Sequence, residues 1–214
     1  MICRWSINKK HFRRNVGFTL VEIAIVIFIV GVILTAIMKG SSLIQESRVQ
    51  DTLSIAADLS GASRAFKQRY RYLPGDFLIN AASPEIPNVT AACIGGGAGA
   101  GNGNGAIEAA ESACVPQHLA AAGMIKSSAT PIPTQYGAAQ VIANAASNTA
   151  AGANPLPANV QNVVEFTNLP CEVAQQIDRS IDDGNLATGN ARASVAACTP
   201  QGANDPVPFY AMPL

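Results

Sequence analysis

One carboxylate, Glu22, stands inside an otherwise apolar run that extends from Phe18 to Met38. A charge deep in a membrane helix costs about 2.5–3.5 kcal/mol on insertion scales, somewhat less near the interface, so such a residue implies a purpose. Other groups with reactive or ligating chemistry lie further along the chain. Asp178, Asp182 and Asp183 approach a Gly184-Asn185 turn. Three acids near a turn could hold calcium, but their spacing is not that of an EF-hand, and solvated or amide-bonded Asp side chains at a helix end are the favoured reading. His118 has no nearby nucleophile or second ligand and reads as a packing or surface residue. Gly99, Gly101 and Gly103 have a spacing found in phosphate loops, yet no preceding strand, Lys-Ser/Thr or downstream acid accompanies them. No Ser/His/Asp, Cys/His or paired-carboxylate constellation is supported by spacing, so neither an enzyme nor a bound cofactor is expected.

Charge and cysteine usage narrow the class further. The chain has 14 basic and 14 acidic residues, but Arg4, Lys9, Lys10, Arg13 and Arg14 all precede Gly17 and no acid does. Removing that leader leaves a net charge of −5. An acidic body without clustered basic residues argues against nucleic acid as a partner. Beyond Cys3 the chain holds four cysteines, Cys93, Cys114, Cys171 and Cys198. An even number suits two disulfides in an oxidising compartment. The preferred pairs are Cys93 with Cys114 and Cys171 with Cys198, since each closes a local loop; the two other connectivities remain open.

These groups must be positioned by the elements around them. The run from Phe18 to Met38 is 21 residues, about the length needed to span a bilayer as a helix. It is too long for the apolar region of an ordinary secretory signal and ends at no Ala-x-Ala-like site. A plain single-pass anchor fits the length but gives no reason for Glu22. The basic leader would stay cytoplasmic, placing everything after Met38 outside the inner face.

The segment Arg13-Arg14-Asn15-Val16-Gly17-Phe18-Thr19-Leu20-Val21-Glu22 resembles the processing motif of type IV prepilins and type II secretion pseudopilins. That resemblance implies a peptidase cut between Gly17 and Phe18, and methylation of the new Phe18 amine. It also gives Glu22 a role in assembly, facing the Phe18 amine of a neighbouring subunit, because a buried amine and carboxylate are far cheaper paired than alone. Leu73-Pro74-Gly75-Asp76-Phe77 and the Ile177-Asp178…Ile181-Asp182-Asp183-Gly184-Asn185 pattern are similar to stretches in a subset of prepilin-like proteins. Some pseudopilins hold calcium in an acidic loop. Relatives often read Gly-Asp-Gly-Asp-Gly where this chain has Gly101-Asn102-Gly103-Asn104-Gly105; the lost acids argue against a metal there.

Beyond the apolar run, Val49, Leu53, Ala56, Ser63, Phe66 and Tyr70 recur at helical spacing with charges between them. A helix from Phe18 to about Tyr72 would be roughly 80 Å long, and no proline interrupts it. Pro74 and Gly75 end it. The glycine-rich run Gly95–Gly105 reads as a flexible loop by composition. Pro116–Ile125 predicts a short helix stopped by Gly123, and a second helix starts near Asn168 and Pro170 and stops at Gly184. Strands are expected at Val160–Phe166 and Arg192–Ala197, with a weaker one at Ala138–Ala143.

The expected fold class is α+β and pilin-like: a long N-terminal helix, membrane-spanning in its first half and amphipathic in its second, packed on a small antiparallel sheet. The expected divisions are a removed leader at 1–17, an assembly helix at 18–38, its amphipathic continuation at 39–73 and a globular domain at 74–214. The resemblance implies a structural subunit, major or minor, of a type IV pilus or pilus-like filament. Its partners would be other pilin subunits, the prepilin peptidase and the inner-membrane assembly platform. The precursor would be anchored in a bacterial inner membrane, and the mature form would enter a periplasmic or cell-surface filament. A secretion pseudopilin and a filament-borne adhesin, contacting its ligand through the Ala/Gly/Asn-rich loops, are the alternatives.

Overall fold

A computed structural model describes residues 17–79, 86–147, 154–198 and 205–214. Residues 1–16, with Cys3 and the basic leader cluster, lie outside the described residues. The chain divides into two compact units, Met1–Ile44 and Gln45–Leu214.

Helix α1 (Leu20–Tyr70) begins in the first unit. Its stretch Leu20–Ile37 is long and apolar enough to cross a membrane, and none of it is buried within the protein. Leu20 is 91% exposed and Phe28 72%. The helix is two residues shorter at each end than its sequence pattern predicts. At the start, Thr19 is a cap rather than a helical residue. At the end, the Arg71 N–H still bonds the Lys67 carbonyl (2.9 Å), but Arg71 turns to φ +70, a left-handed stop that satisfies an otherwise orphaned carbonyl.

In the second unit α1 buries Val49, Ala56, Leu59, Ala62 and Phe66 in a core shared with the sheet and the later helices. The sheet is antiparallel throughout, in the order β1-β2-β3-β5-β4. Its strands are β1 (Ile132–Pro133), β2 (Ala138–Ala143), β3 (Asn162–Pro170), β4 (Arg192–Ala193) and β5 (Pro206–Pro213). Registration of Val141 with Val164 and of Val164 with Met212 puts these side chains on one face, in the same core as Phe66. Their neighbours point the other way. Ile142, Val163 and Ala211 cluster with Leu156 on the opposite face, so β3 is buried on both sides and shows no alternation of exposure.

The arrangement is the α+β, pilin-like one that the sequence implies, with differences in its elements. Strand β3 runs to Pro170, past the expected Phe166, and β4 stops at Ala193, short of Ala197. The sequence reading missed β5, the central partner of β3, because Pro206, Pro208 and Pro213 count against a strand. The structure accommodates them. Pro206 and Pro213 are the terminal residues, and opposite Pro208 the pairing skips Asn168, which has φ +56.

Helices α2 (Ala109–Ser112), α3 (Val115–Ala121) and α4 (Cys171–Ile181) complete the unit. Helix α4 begins later than expected because Leu169 and Pro170 are already paired with β5. Helix α3 ends as Gly123 (φ +73) lets its own N–H reach the Ala120 carbonyl and that of Met124 the Leu119 carbonyl, the paired C-terminal bonds that favour glycine.

Candidate functional site

The site begins with three residues outside any helix. Gly17, Phe18 and Thr19 precede α1 and all are exposed. Phe18 is 78% exposed, so the Gly17–Phe18 peptide lies uncovered immediately before a helix. Gly17 has no positive φ, and a Cβ added there meets nothing within 4 Å. Among the described residues nothing stands where a β-carbon at position 17 would go. A requirement for glycine there must come from a partner that reads the segment.

Thr19 and Glu22 start the helix together. Thr19 Oγ1 accepts the Glu22 N–H (3.2 Å), and the Thr19 carbonyl accepts the N–H groups of Glu22 (3.1 Å) and Ile23 (3.3 Å). One orphan donor of the first turn, the Glu22 N–H, is thereby satisfied, and the Ile23 bond opens the regular helical ladder. Glu22 stands three residues after the cap, where acidic side chains favour the positive end of the helix dipole. This cap went unread in the sequence, although the Thr19-x-x-Glu22 spacing is its signature. The Glu22 carboxylate is exposed among exposed apolar neighbours, Leu20, Val21, Ile23, Ile25 and Val26. A local start signal explains the position of Glu22 only in part. The cap needs the backbone N–H of residue 22 and not its charge.

Residues 13–38 match the family model of the prokaryotic N-terminal methylation motif. The chain carries the type IV prepilin and pseudopilin signature. No curated protein and no solved structure matches the chain. With its apolar helix and two disulfides, this is a type IV pilin- or pseudopilin-like protein. The motif implies processing by prepilin peptidase and assembly with other pilins, and the segment fits a precursor anchored in the inner membrane.

The bridged cysteines, His118, Asp76, Glu111 and Asp178 of this prepilin-like chain are engaged within its body. Cys93 is joined to Cys114 and Cys171 to Cys198, across 21 and 27 residues. The first bridge lies beside His118, which is fully buried. Its Nδ1 accepts the Gly75 N–H (2.9 Å), so Nε2 carries the proton and faces the Cys93 carbonyl (3.4 Å). Burial holds the imidazole pKa down at about 4, keeping the neutral form that this pair of contacts requires. His118 ties the Leu73–Phe77 turn to the disulfide.

The glycine-rich run is not the free loop its composition predicts. The buried Asp76 carboxylate accepts three backbone N–H groups, from Gly103 (2.6 Å) and Asn104 (3.1 Å) at Oδ1 and from Gly105 (2.7 Å) at Oδ2. Charge-assisted bonds of this kind are the strong ones. Gly101 packs so closely on the backbone of Asp76 and Phe77 that no Cβ fits. Glu111 holds the other side, accepting the N–H groups of Asn102 (3.1 Å) and of Glu108 (2.9 Å). Burial is the main influence on the Glu111 carboxyl and raises its pKa.

The three acids proposed at low weight for calcium do not converge. Asp178, fully buried, accepts the Tyr210 hydroxyl at 3.0 Å. Asp182 Oδ2 accepts the N–H groups of Asn190 and Ala191, and Asp183 accepts from the Asn185 N–H and the Thr188 hydroxyl. Each is engaged by separate donors. Among the described residues no group of three His, Cys, Asp or Glu is placed to hold a metal. Burial, followed at a distance by the Asp182 and Asp183 charges, raises the Asp178 pKa against the Tyr210 hydrogen bond.

Proposed function

We propose that the mature protein is a structural subunit of a type IV pilus or pilus-like filament. In this reading prepilin peptidase cuts between Gly17 and Phe18 and methylates the Phe18 amine. The apolar helix first anchors the subunit in the inner membrane and then packs among the helices of other pilins. Glu22 pairs with the Phe18 amine of a neighbour. The protein acts by assembly and catalyses no reaction.

The observation that carries this reading is the methylation motif, overlapping a helical stretch, Leu20–Ile37, whose apolar residues and single carboxylate are all uncovered within the chain. An apolar stretch of 18 residues that includes one charge and is covered by nothing within the chain needs an environment supplied by other molecules, first lipid and then subunits. The test is Gly17→Val. Because position 17 has open space around it, the substitution leaves the chain's own fold unchanged. Full-length precursor should accumulate in the membrane fraction with no mature form in sheared filaments. Normal maturation and incorporation of Gly17→Val would contradict the proposal.

A further inference from the structure

The glycine-rich run contains both Asn-Gly steps of the chain, Asn102-Gly103 and Asn104-Gly105. Asparagine is a thermolabile residue, and most so before glycine, because no side chain shields the following backbone nitrogen. Once that nitrogen has lost its proton it attacks the asparagine Cγ. An N–Cγ bond forms, the Cγ–Nδ2 bond breaks, and ammonia leaves with the proton. Water then opens the resulting succinimide ring to aspartate or isoaspartate. Asparagine and water become aspartate and ammonia, with no change of oxidation state.

The groups that would react are engaged in the folded chain. The two attacking nitrogens donate to one carboxylate, Gly103 N–H to Asp76 Oδ1 (2.6 Å) and Gly105 N–H to Asp76 Oδ2 (2.7 Å). The two carboxamides under attack are held at both ends. Asn102 Oδ1 accepts the Asn104 N–H (2.9 Å) and Asn104 Oδ1 the Ala106 N–H (2.8 Å). Both Nδ2 groups donate to Glu108 Oε1, at 3.2 and 3.0 Å. The reactive form of either glycine nitrogen is an anion, and it would stand beside the Asp76 carboxylate. Asp76 is 1% exposed, so solvent screens that repulsion little. A neutral acceptor would hold the loop in place; a carboxylate also opposes loss of the proton.

We propose that Asn102 and Asn104 are latent deamidation sites, kept unreacted by the Asp76 carboxylate and released when its hold on Gly103 and Gly105 is lost. The inference concerns this loop alone and is independent of the filament reading. The product could not close again as before. The Nδ2 donors that now meet Glu108 would be replaced by carboxylate oxygens facing it. An isoaspartate would also lengthen the backbone beside Gly101, which already packs on Asp76 and Phe77 without room for a Cβ.

The experiment incubates the full chain in detergent at mildly alkaline pH, well below its Tm, and reads deamidation of the peptides carrying Asn102 and Asn104 by mass spectrometry. Folded wild type should react at least about ten-fold more slowly than wild type in urea, and Asp76→Asn at least about ten-fold faster than folded wild type. That factor is what one pKa unit at the attacking nitrogen supplies. Asp76→Glu, which keeps the charge, should stay slow. So should Glu111→Gln, which weakens the hold on Asn102 and leaves Asp76 in place. Base-catalysed hydrogen exchange passes through the same anion, so the Gly103 and Gly105 amides of wild type should be protected, a measurement that needs no variant to fold. Wild type that deamidates as fast folded as in urea, or exchanges freely at both amides, would overturn the proposal. Asp76→Asn as slow as wild type, or Glu111→Gln as fast as Asp76→Asn, would overturn the role of Asp76.

Discussion

The first turns of α1 and the body of the protein treat their charged groups in opposite ways. Around Glu22 the chain supplies only a helix cap, and the carboxylate and its apolar neighbours face outward. In the body, Asp76 is closed in by three backbone N–H groups and Glu165 by Gln140 and Ser147. His118 is bonded on both ring nitrogens. A buried acid that collects local donors is architecture, because its energetic cost is already offset inside the fold. A carboxylate left outward among apolar residues has that cost still to be met, and another molecule must meet it.

The comparison breaks most sharply at Glu22. Glu22→Ala should leave leader removal and membrane insertion intact and impair incorporation into filaments. Stripping one partner from a buried pair costs about 3–5 kcal/mol, several hundred-fold or more per contact. Glu22→Gln should be intermediate. Fractionation of membranes and sheared filaments reads the effect, and thermal unfolding of the body should not move. At Asp76 the pattern inverts. Asp76→Ala orphans the amides of Gly103, Asn104 and Gly105 and should cost the body roughly 3–4 kcal/mol, seen as a lowered Tm of the detergent-solubilised chain, while Phe18 is still exposed at the mature N-terminus. Replacing Cys171 and Cys198 by Ser should cost a further ~3 kcal/mol on the same scale, again without changing the cleavage position.

The smallest effect is set by pH. His118 has a folded pKa of about 4, below the ordinary value near 6.5. The unfolded chain therefore binds a proton that the folded one refuses between those values. Stability is complete above about pH 6.5 and falls as the pH drops towards 4, by at most about 2–3 kcal/mol from this group. Denaturant unfolding at a series of pH values should show that slope, and His118→Gln should flatten it. An unchanged slope would mean that His118 does not titrate in the folded chain as its burial implies.

What could be read in the sequence follows the same division. The N-terminal region was legible because its signals are short-range: basic residues, then Gly17-Phe18, then a long apolar run with one acid, all within 38 residues. Much of the body was legible only as outline. Strand β2 lies where alternation put it, at Ala138–Ala143, whereas β5 was hidden by its three prolines. The order of the glycine-rich run depends on Asp76, which is 27 residues away from Gly103 in the chain, and composition carries no trace of that contact. The buried pair of Asp178 and Tyr210 spans 32 residues. Nothing local to the acidic turn distinguishes an Asp facing the core from one facing solvent.

The claim that the N-terminal region is built for partners rests finally on where the mature chain begins. Intact-mass and N-terminal peptide mass spectrometry of the protein recovered from sheared filaments decides it. The account predicts a chain that starts at Phe18 and carries one methyl group on its amine; assembled protein that retains residues 1–17, or starts at any other residue, would contradict it.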